Sequence, residues 1–238
     1  MTSDQRSLNW HLKERWSLGG VLDWKRARTE EKKNERKETI YKAAFKLFRE
    51  NGYNNVSLNG IASEAGFTKS NMYRYFSSKE EIFLNIFSNL FENWVDECIK
   101  RLKKLKQDVP AEKFAKAYLN SLIAHPQFLD LAPILFISLE RNSSYEQLFE
   151  FKKLAKHLLY QISLEISRVY PEMNGEWAFK LLSLCHAATS SYWAQTAQND
   201  VLNKIYKEDE LKELRPNFKK EITSAIEVFI LGIKAKIN

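Results

Sequence analysis

The sequence predicts an all-α fold, and three observations carry the prediction. Apolar residues recur at helical spacing along most of the 238 residues. The seven glycines and five prolines fall mostly at the breaks between those stretches. No segment shows the apolar–polar alternation of a half-buried strand.

The elements follow in order. Ile40, Ala43, Ala44, Leu47 and Phe48 hold the i, i+3, i+4, i+7, i+8 spacing of a buried helical face. Asn51-Gly52 ends that helix, with the glycine suited to a left-handed C′ position. Ser57 reads as the N-cap of a short helix that stops at Gly66, and another begins near Thr68 or Lys69. Ser77-Ser78-Lys79-Glu80-Glu81 opens a long helix, expected over 78–105, with acids in its first turn and lysines in its last. Pro110 opens the next helix, through about Ala124, and Pro126 separates it from Phe128–Glu140, where Pro133 starts or kinks a helix. Amphipathic stretches over Tyr145–Tyr170, Glu176–Gln198 and Phe218–Ala235 complete the set.

Charge divides the chain. The net charge is +7, and residues 1–79 carry 16 Lys/Arg against 9 Asp/Glu, whereas 80–238 carry 21 of each. A polyanion-binding module joined to an electrostatically neutral one is the expected organisation. Cys98 and Cys185 are too few for a disulfide framework, which suits a reducing compartment. No apolar run reaches the roughly 18 residues of a membrane span, and no signal-peptide core precedes the first helix. The expectation is a soluble, cytoplasmic protein without membrane contact.

Ser57–Gly66 followed by Phe67–Phe76 has the grammar of a helix-turn-helix. Ala62 permits close approach of the two helices and Gly66 permits the turn between them. Leu58, Ile61, Ala65, Phe67 and Met72 hold the pair together. Thr68, Lys69, Ser70, Asn71, Tyr73, Arg74 and Tyr75 remain for the outer side: donors, two cations and two phenols, with no acid among them. Such a surface suits a groove lined by phosphate oxygens.

The segment from Ser57 to Glu80 closely resembles the DNA-binding signature of the TetR (tetracycline-repressor-like) family, and Ala43-Ala44-x-x-Leu47-Phe48-x-x-x-Gly52-Tyr53 is similar to that family's first helix and its exit. The resemblance covers about 60 residues, in spacing as well as identity. It implies an N-terminal three-helix domain over 26–80, joined by a long helix to a helical effector-binding and dimerisation domain over 81–238. It further implies that Ser57 caps its helix and touches a phosphate, that Lys69, Ser70 and Asn71 face base edges, and that Tyr73, Tyr75 and Lys79 grip the backbone. Ser70 and Asn71 stand where the family more commonly has Gly and Thr. Asparagine pairs bidentately with adenine, so the operator is expected to differ from those of better-known members.

The neutral part is expected to sense and dimerise. The resemblance places the homodimer interface on helices near 176–198 and 218–233, and an effector cavity among the preceding helices. Its lining candidates are Trp94, Tyr118, Phe136, Phe149, Tyr160 and Trp177, for a small apolar or aromatic effector that would release a repressor from a pseudo-palindromic operator. Each of these aromatics also reads as ordinary core. Residues 1–25 form an extension of unsettled role: a loosely docked arm, residues ahead of the native start, or a device by which Lys25, Arg26, Arg28, Lys32 and Lys33 reach flanking phosphates.

Catalysis finds no motif. His11, His125, His157 and His186 lack i, i+4 pairing, no C-x-x-C or H-E-x-x-H occurs, and adjacent Cys185 and His186 point about 100° apart on a helix. No metal or cofactor is expected. A protein-binding module that keeps the helix-turn-helix fold, and an enzyme in the helical domain, stand as rivals to the regulator.

Overall fold

The computed structural model describes residues 31–196 and 200–237. The N-terminal extension over 1–25 lies outside them. The described residues are helical throughout, without strand, and the chain divides into two compact units, one ending at Ile82 and the other beginning at Phe83.

In the first unit, α1 (31–51) is followed by a 3₁₀ turn (Tyr53–Asn55), α2 (Leu58–Glu64) and α3 (Lys69–Met72). The core is the face read from the sequence: Ile40, Ala44, Ile61, Ala62, Met72 and Phe76 are all 3% exposed or less. Gly52 has positive φ, 73°, but its ψ of 157° places it in an extended region open essentially to glycine alone, rather than in the left-handed helical well. The difference follows from the 3₁₀ turn that begins at the next residue.

Gly66 does adopt the left-handed conformation (φ 72°). Its N–H donates to Ser63 O at 3.1 Å and the Phe67 N–H to Ala62 O at 2.8 Å. These two bonds make a Schellman closure, which satisfies the last carbonyls of α2 and sets the sharp exit toward α3. Lys46 pairs with Glu64 at 2.6 Å and ties α1 to α2.

α4 (Lys79–Leu102) starts at a serine cap. Ser78 Oγ accepts from the Glu81 N–H at 3.1 Å, and the Glu81 carboxylate reaches back to the Ser77 N–H at 2.7 Å, a near relative of the capping box. The helix stops three residues before the expected end. The N–H groups of Lys104 and Leu105 turn to i−3 carbonyls, and Arg168 donates to Leu102 O (2.7 Å) and Leu105 O (3.0 Å), capping the helix C-terminus with a cation.

The second unit continues with α5 (Ala111–Ile123), α6 (Pro126–Ile134), α7 (Tyr145–Val169), α8 (Gly175–Thr196), α9 (Asp200–Ile205) and α10 (Phe218–Ile237). α10 packs on α5 and α8, and α8 also receives α6 and α7. Pro133 sits inside α6, where it lacks an N–H for the ladder. The chain answers with a π-helical segment, Leu135–Leu139, closed by Glu140 N–H to Leu135 O at 2.9 Å. This widened turn buries Leu135 and Leu139 and leaves Phe136 half exposed. No single helix among the described residues is long and apolar enough to cross a membrane, and no His/Cys/Asp/Glu group among them has the arrangement of a metal site.

Candidate functional site

Two sites emerge, one in each unit. On the first, Ser57 Oγ accepts from the Gly60 N–H at 3.0 Å and Thr68 Oγ1 from the Asn71 N–H at 3.2 Å, so both helices of the reader are N-capped by hydroxyl residues. Each such cap contributes about 1 kcal/mol. After Met72 the chain continues in tight turns through Phe76, whose N–H returns to Met72 O at 3.0 Å.

Thr68, Lys69, Ser70, Asn71, Tyr73 and Arg74 are all exposed, whereas Met72 and Phe76 between and beyond them are buried. These six outward residues thus form one surface, with Tyr73 53% exposed. Tyr75 is half-buried, its ring edge-on to Phe67 at 5.9 Å. Its hydroxyl accepts from Arg36 Nη1 at 3.1 Å, which brings a cation of α1 onto the same surface. Arg36, Asn71, Arg74 and Tyr75 rim a polar groove beside Gly66. Arg36 escaped the sequence reading because its partner is 39 residues away and no local spacing announces the pair.

Lys79 is placed differently from the outward residues. Its ammonium donates to Tyr53 O (3.0 Å) and Val56 O (2.9 Å) and stands 4.4 Å above the Tyr53 ring. It therefore closes the carbonyl ends of the 3₁₀ turn, and an ammonium has three protons, so one remains for an outside acceptor.

In the second unit, a partly open cavity of about 250 Å³ lies among α4, α5, α6, the π segment, α7 and α8. Phe87, Phe91 and Trp94 line it from α4, at i, i+4, i+7 spacing. Trp94, Phe91 and Phe128 stand in nearly parallel planes, with Trp94 and Phe128 centroids 4.9 Å apart at 5°. The Trp94 indole N–H is satisfied within the wall, donating to Ser121 Oγ at 3.1 Å, and Ser121 in turn donates to Tyr118 O at 2.6 Å.

Of the six lining candidates, Trp94, Tyr118 and Phe136 do line the cavity, whereas Phe149, Tyr160 and Trp177 do not. The correction is one of helix phase. α7 turns Phe151, Ala155 and Leu159 inward, and Phe149 and Tyr160 fall on its exposed side, 49% and 59% accessible. Trp177 lies in the first turn of α8, and that helix instead contributes Phe179, Leu182, Ser183 and His186 to the lining.

The polar mouth was not foreseen. Glu140 and Lys152 pair there at 2.6 Å, and Lys152 Nζ stands 5.7 Å from the Phe136 ring centroid. The His186 ring meets Phe136 edge-on at 5.1 Å. Burial foremost, and then the nearby Lys152 charge, pushes the His186 pKa down to about 4, so the imidazole is neutral at physiological pH. Cys98 and Cys185 are fully buried; burial pushes the Cys98 thiol up to about 12 and raises that of Cys185 as well, so neither is a reactive thiolate.

A helix-turn-helix surface in one unit and an aromatic cavity in a second helical unit define the class of a helix-turn-helix regulator. The family model "Bacterial regulatory proteins, tetR family" matches residues 40–86, and "Tetracyclin repressor-like, C-terminal domain" matches residues 88–237. The HTH-type transcriptional regulator YfiR of Bacillus subtilis (strain 168) is 29% identical over 127 residues, covering 51% of this chain and 60% of the relative. The HTH-type transcriptional regulator RutR of Escherichia coli (strain K12) is 30% identical over 85 residues, 36% of this chain and 38% of the relative. The chain thus spans 60% or less of the length of these curated relatives. Among solved structures, the fatty acid degradation regulator FadR of Bacillus halodurans aligns with a TM-score of 0.53 at 15% identity, over 82% of this chain and 94% of that one. A TetR/AcrR-family regulator of Thermobifida fusca aligns with 0.50 at 20% identity, over 81% and 97%. These two likenesses are of fold. The C-terminal model alone spans well over half of the residues, and the chain belongs to the TetR family of bacterial transcriptional regulators.

Proposed function

We propose that this chain is a homodimeric, ligand-responsive repressor, released from a pseudo-palindromic DNA operator by a small apolar or aromatic effector. The observation that carries the reading is the exposed, acid-free face Thr68–Tyr75, presented by two hydroxyl-capped helices across a glycine turn. Within this reading Ser57 and Tyr73 bond phosphate oxygens, Lys69, Ser70 and Asn71 meet base edges, and Arg74, Tyr75 and Lys79 hold the backbone.

Two further observations support it. α10 keeps apolar side chains exposed on its own unit, Val228 at 62% and Leu231 at 59%, as a two-fold partner would require. α4 is one continuous helix: its first residue, Lys79, is bonded to the reader's carbonyls, and Phe87, Phe91 and Trp94 further along it line the cavity. An effector that displaces those rings shifts the helix that carries the reader, and two readers fit successive grooves at one spacing only.

The test is selection of duplexes from a random pool, then affinity against salt. Two backbone-holding cations per protomer (Arg74 and Lys79) across a dimer predict a slope of log K on log salt of about −4. Absence of any selected sequence, with affinity indifferent to salt, would favour the protein-binding module instead.

A further inference from the structure

Resting on the reading of the second unit as the effector-binding one, we infer that its cavity takes an uncharged, flat molecule of two or three aromatic rings, with a single hydrogen-bonding group directed to His186. Size, shape, charge and the one polar wall each contribute.

The volume of about 250 Å³ lies between the roughly 150 Å³ that holds benzene in an apolar protein cavity and the ~300–1,000 Å³ of sites for drug-sized ligands. The rings of Phe91, Trp94 and Phe128 are stacked on one another, parallel within 13°, and a flat aromatic ligand can extend that stack where a bulky aliphatic one cannot.

Charge is selected against from both sides. Glu140 and Lys152 are the charged residues at the cavity, and they compensate each other at 2.6 Å. An anionic ligand must compete with Glu140 for Lys152 while standing beside the Glu140 carboxylate. A cationic ligand meets Lys152, whose ammonium already stands 5.7 Å and 5.9 Å from the centroids of Phe136 and Phe151. Either ion also leaves much of its water for a mostly apolar lining that offers it no free counter-charge, which is costly. A carboxylate-ended alkyl chain is disfavoured on the same grounds.

His186 supplies the polar end. Its neutral imidazole offers one donor and one acceptor nitrogen, and among the described residues its side-chain hydrogen-bond contact is a long one, 3.5 Å from Nε2 to Ser190 Oγ. A ligand hydroxyl, carbonyl or ring nitrogen is the matching group.

The experiment uses the full chain without DNA, so its failure leaves the DNA-binding reading standing, and failure to bind DNA leaves this inference standing. N-phenyl-1-naphthylamine, uncharged, and 1-anilinonaphthalene-8-sulfonate, the same skeleton with an anionic group, are titrated by fluorescence. The uncharged probe is expected to saturate at one per protomer with Kd at least tenfold below that of the sulfonate. Glu140→Gln leaves Lys152 uncompensated and should improve sulfonate binding about tenfold relative to the uncharged probe. Ala155→Trp, which fills the cavity, should abolish binding of the uncharged probe; if circular dichroism shows that variant unfolded, Ser183→Phe at the mouth serves instead. By displacement of the probe, His186→Leu should weaken 2-naphthol about tenfold relative to naphthalene. The inference is overturned by sulfonate binding as tight as or tighter than the uncharged probe, by probe binding that survives cavity filling in a folded variant, or by no saturable binding of the uncharged probe.

Discussion

The ammonium of Lys79 donates to the Val56 carbonyl at 2.9 Å, from the first residue of α4 to the residue that ends the 3₁₀ turn. With the companion bond to Tyr53 O, this contact fastens the reader to the helix that leaves it. Lys79→Met is therefore expected to lower unfolding free energy by about 2 kcal/mol, since hydrogen bonds from charged donors are stronger than neutral ones. The third proton is assigned to phosphate, so the salt slope of a dimer should shrink by about 2, roughly one for each protomer's lost contact. Urea denaturation and salt titration separate the two effects: a stability loss with an unchanged slope would leave Lys79 a purely structural residue.

Asn71 is an exposed amide in the leading turn of α3, and its side chain is the one there best matched to adenine. Asn71→Ala should cost about 1–3 kcal/mol on the selected duplex and relax preference at one base pair in each half-site. Arg74→Ala should instead weaken all duplexes alike, because its guanidinium is assigned to the backbone. Repeating the selection with each variant distinguishes the two, and a uniform loss for Asn71→Ala would remove it from base reading.

His186 gives the stability a defined pH dependence. Lys152, Phe136 and Ser190 face its ring, and its folded pKa of about 4 lies below the ordinary 6.5. An unfolded chain therefore binds the proton first as pH falls. The stabilising contribution is complete above about pH 6.5 and is lost as pH drops toward 4, by at most about 3 kcal/mol. Between pH 7.5 and 4.5 the urea midpoint of His186→Gln should fall less than that of the wild type. Equal falls would mean that the imidazole titrates alike in both states.

Val228 and Leu231 stand exposed three residues apart on α10. If they meet a second copy, Val228→Glu/Leu231→Glu should convert the dimer to monomer in sedimentation equilibrium while helical content stays constant. Operator affinity should then fall steeply, because a monomer holds one half-site. A variant that stays dimeric would move the interface elsewhere.

Much of this was legible in the sequence, for identifiable reasons. Helix existence followed from apolar period and from Gly66, Pro110 and Pro126, because those residues act locally on the backbone. The outer face Thr68–Tyr75 followed from the same periodicity that buries Met72 and Phe76. What local signals leave open is partnership across distance. Arg36 meets Tyr75, Lys152 meets Glu140 and Arg168 closes α4 only once the chain has folded, and none of these pairs has a spacing that a window along the sequence reveals. Pro133 announced a break, but the π-helical answer to it depends on how Leu135 and Leu139 are buried. Helix phase decided the cavity: Phe151 and Phe149 are equally aromatic in sequence, yet two residues along a helix separate them by about 200°.

Cavity occupation and DNA release are the two ends of the proposed coupling, and one titration measures both. A fluorescently labelled selected duplex is bound to the protein, and N-phenyl-1-naphthylamine is added while anisotropy reports DNA and probe emission reports the cavity. The predicted result is loss of duplex over the same concentration range in which the cavity fills, and no such loss with Ala155→Trp. A filled cavity with the duplex still bound at unchanged affinity would contradict the coupling.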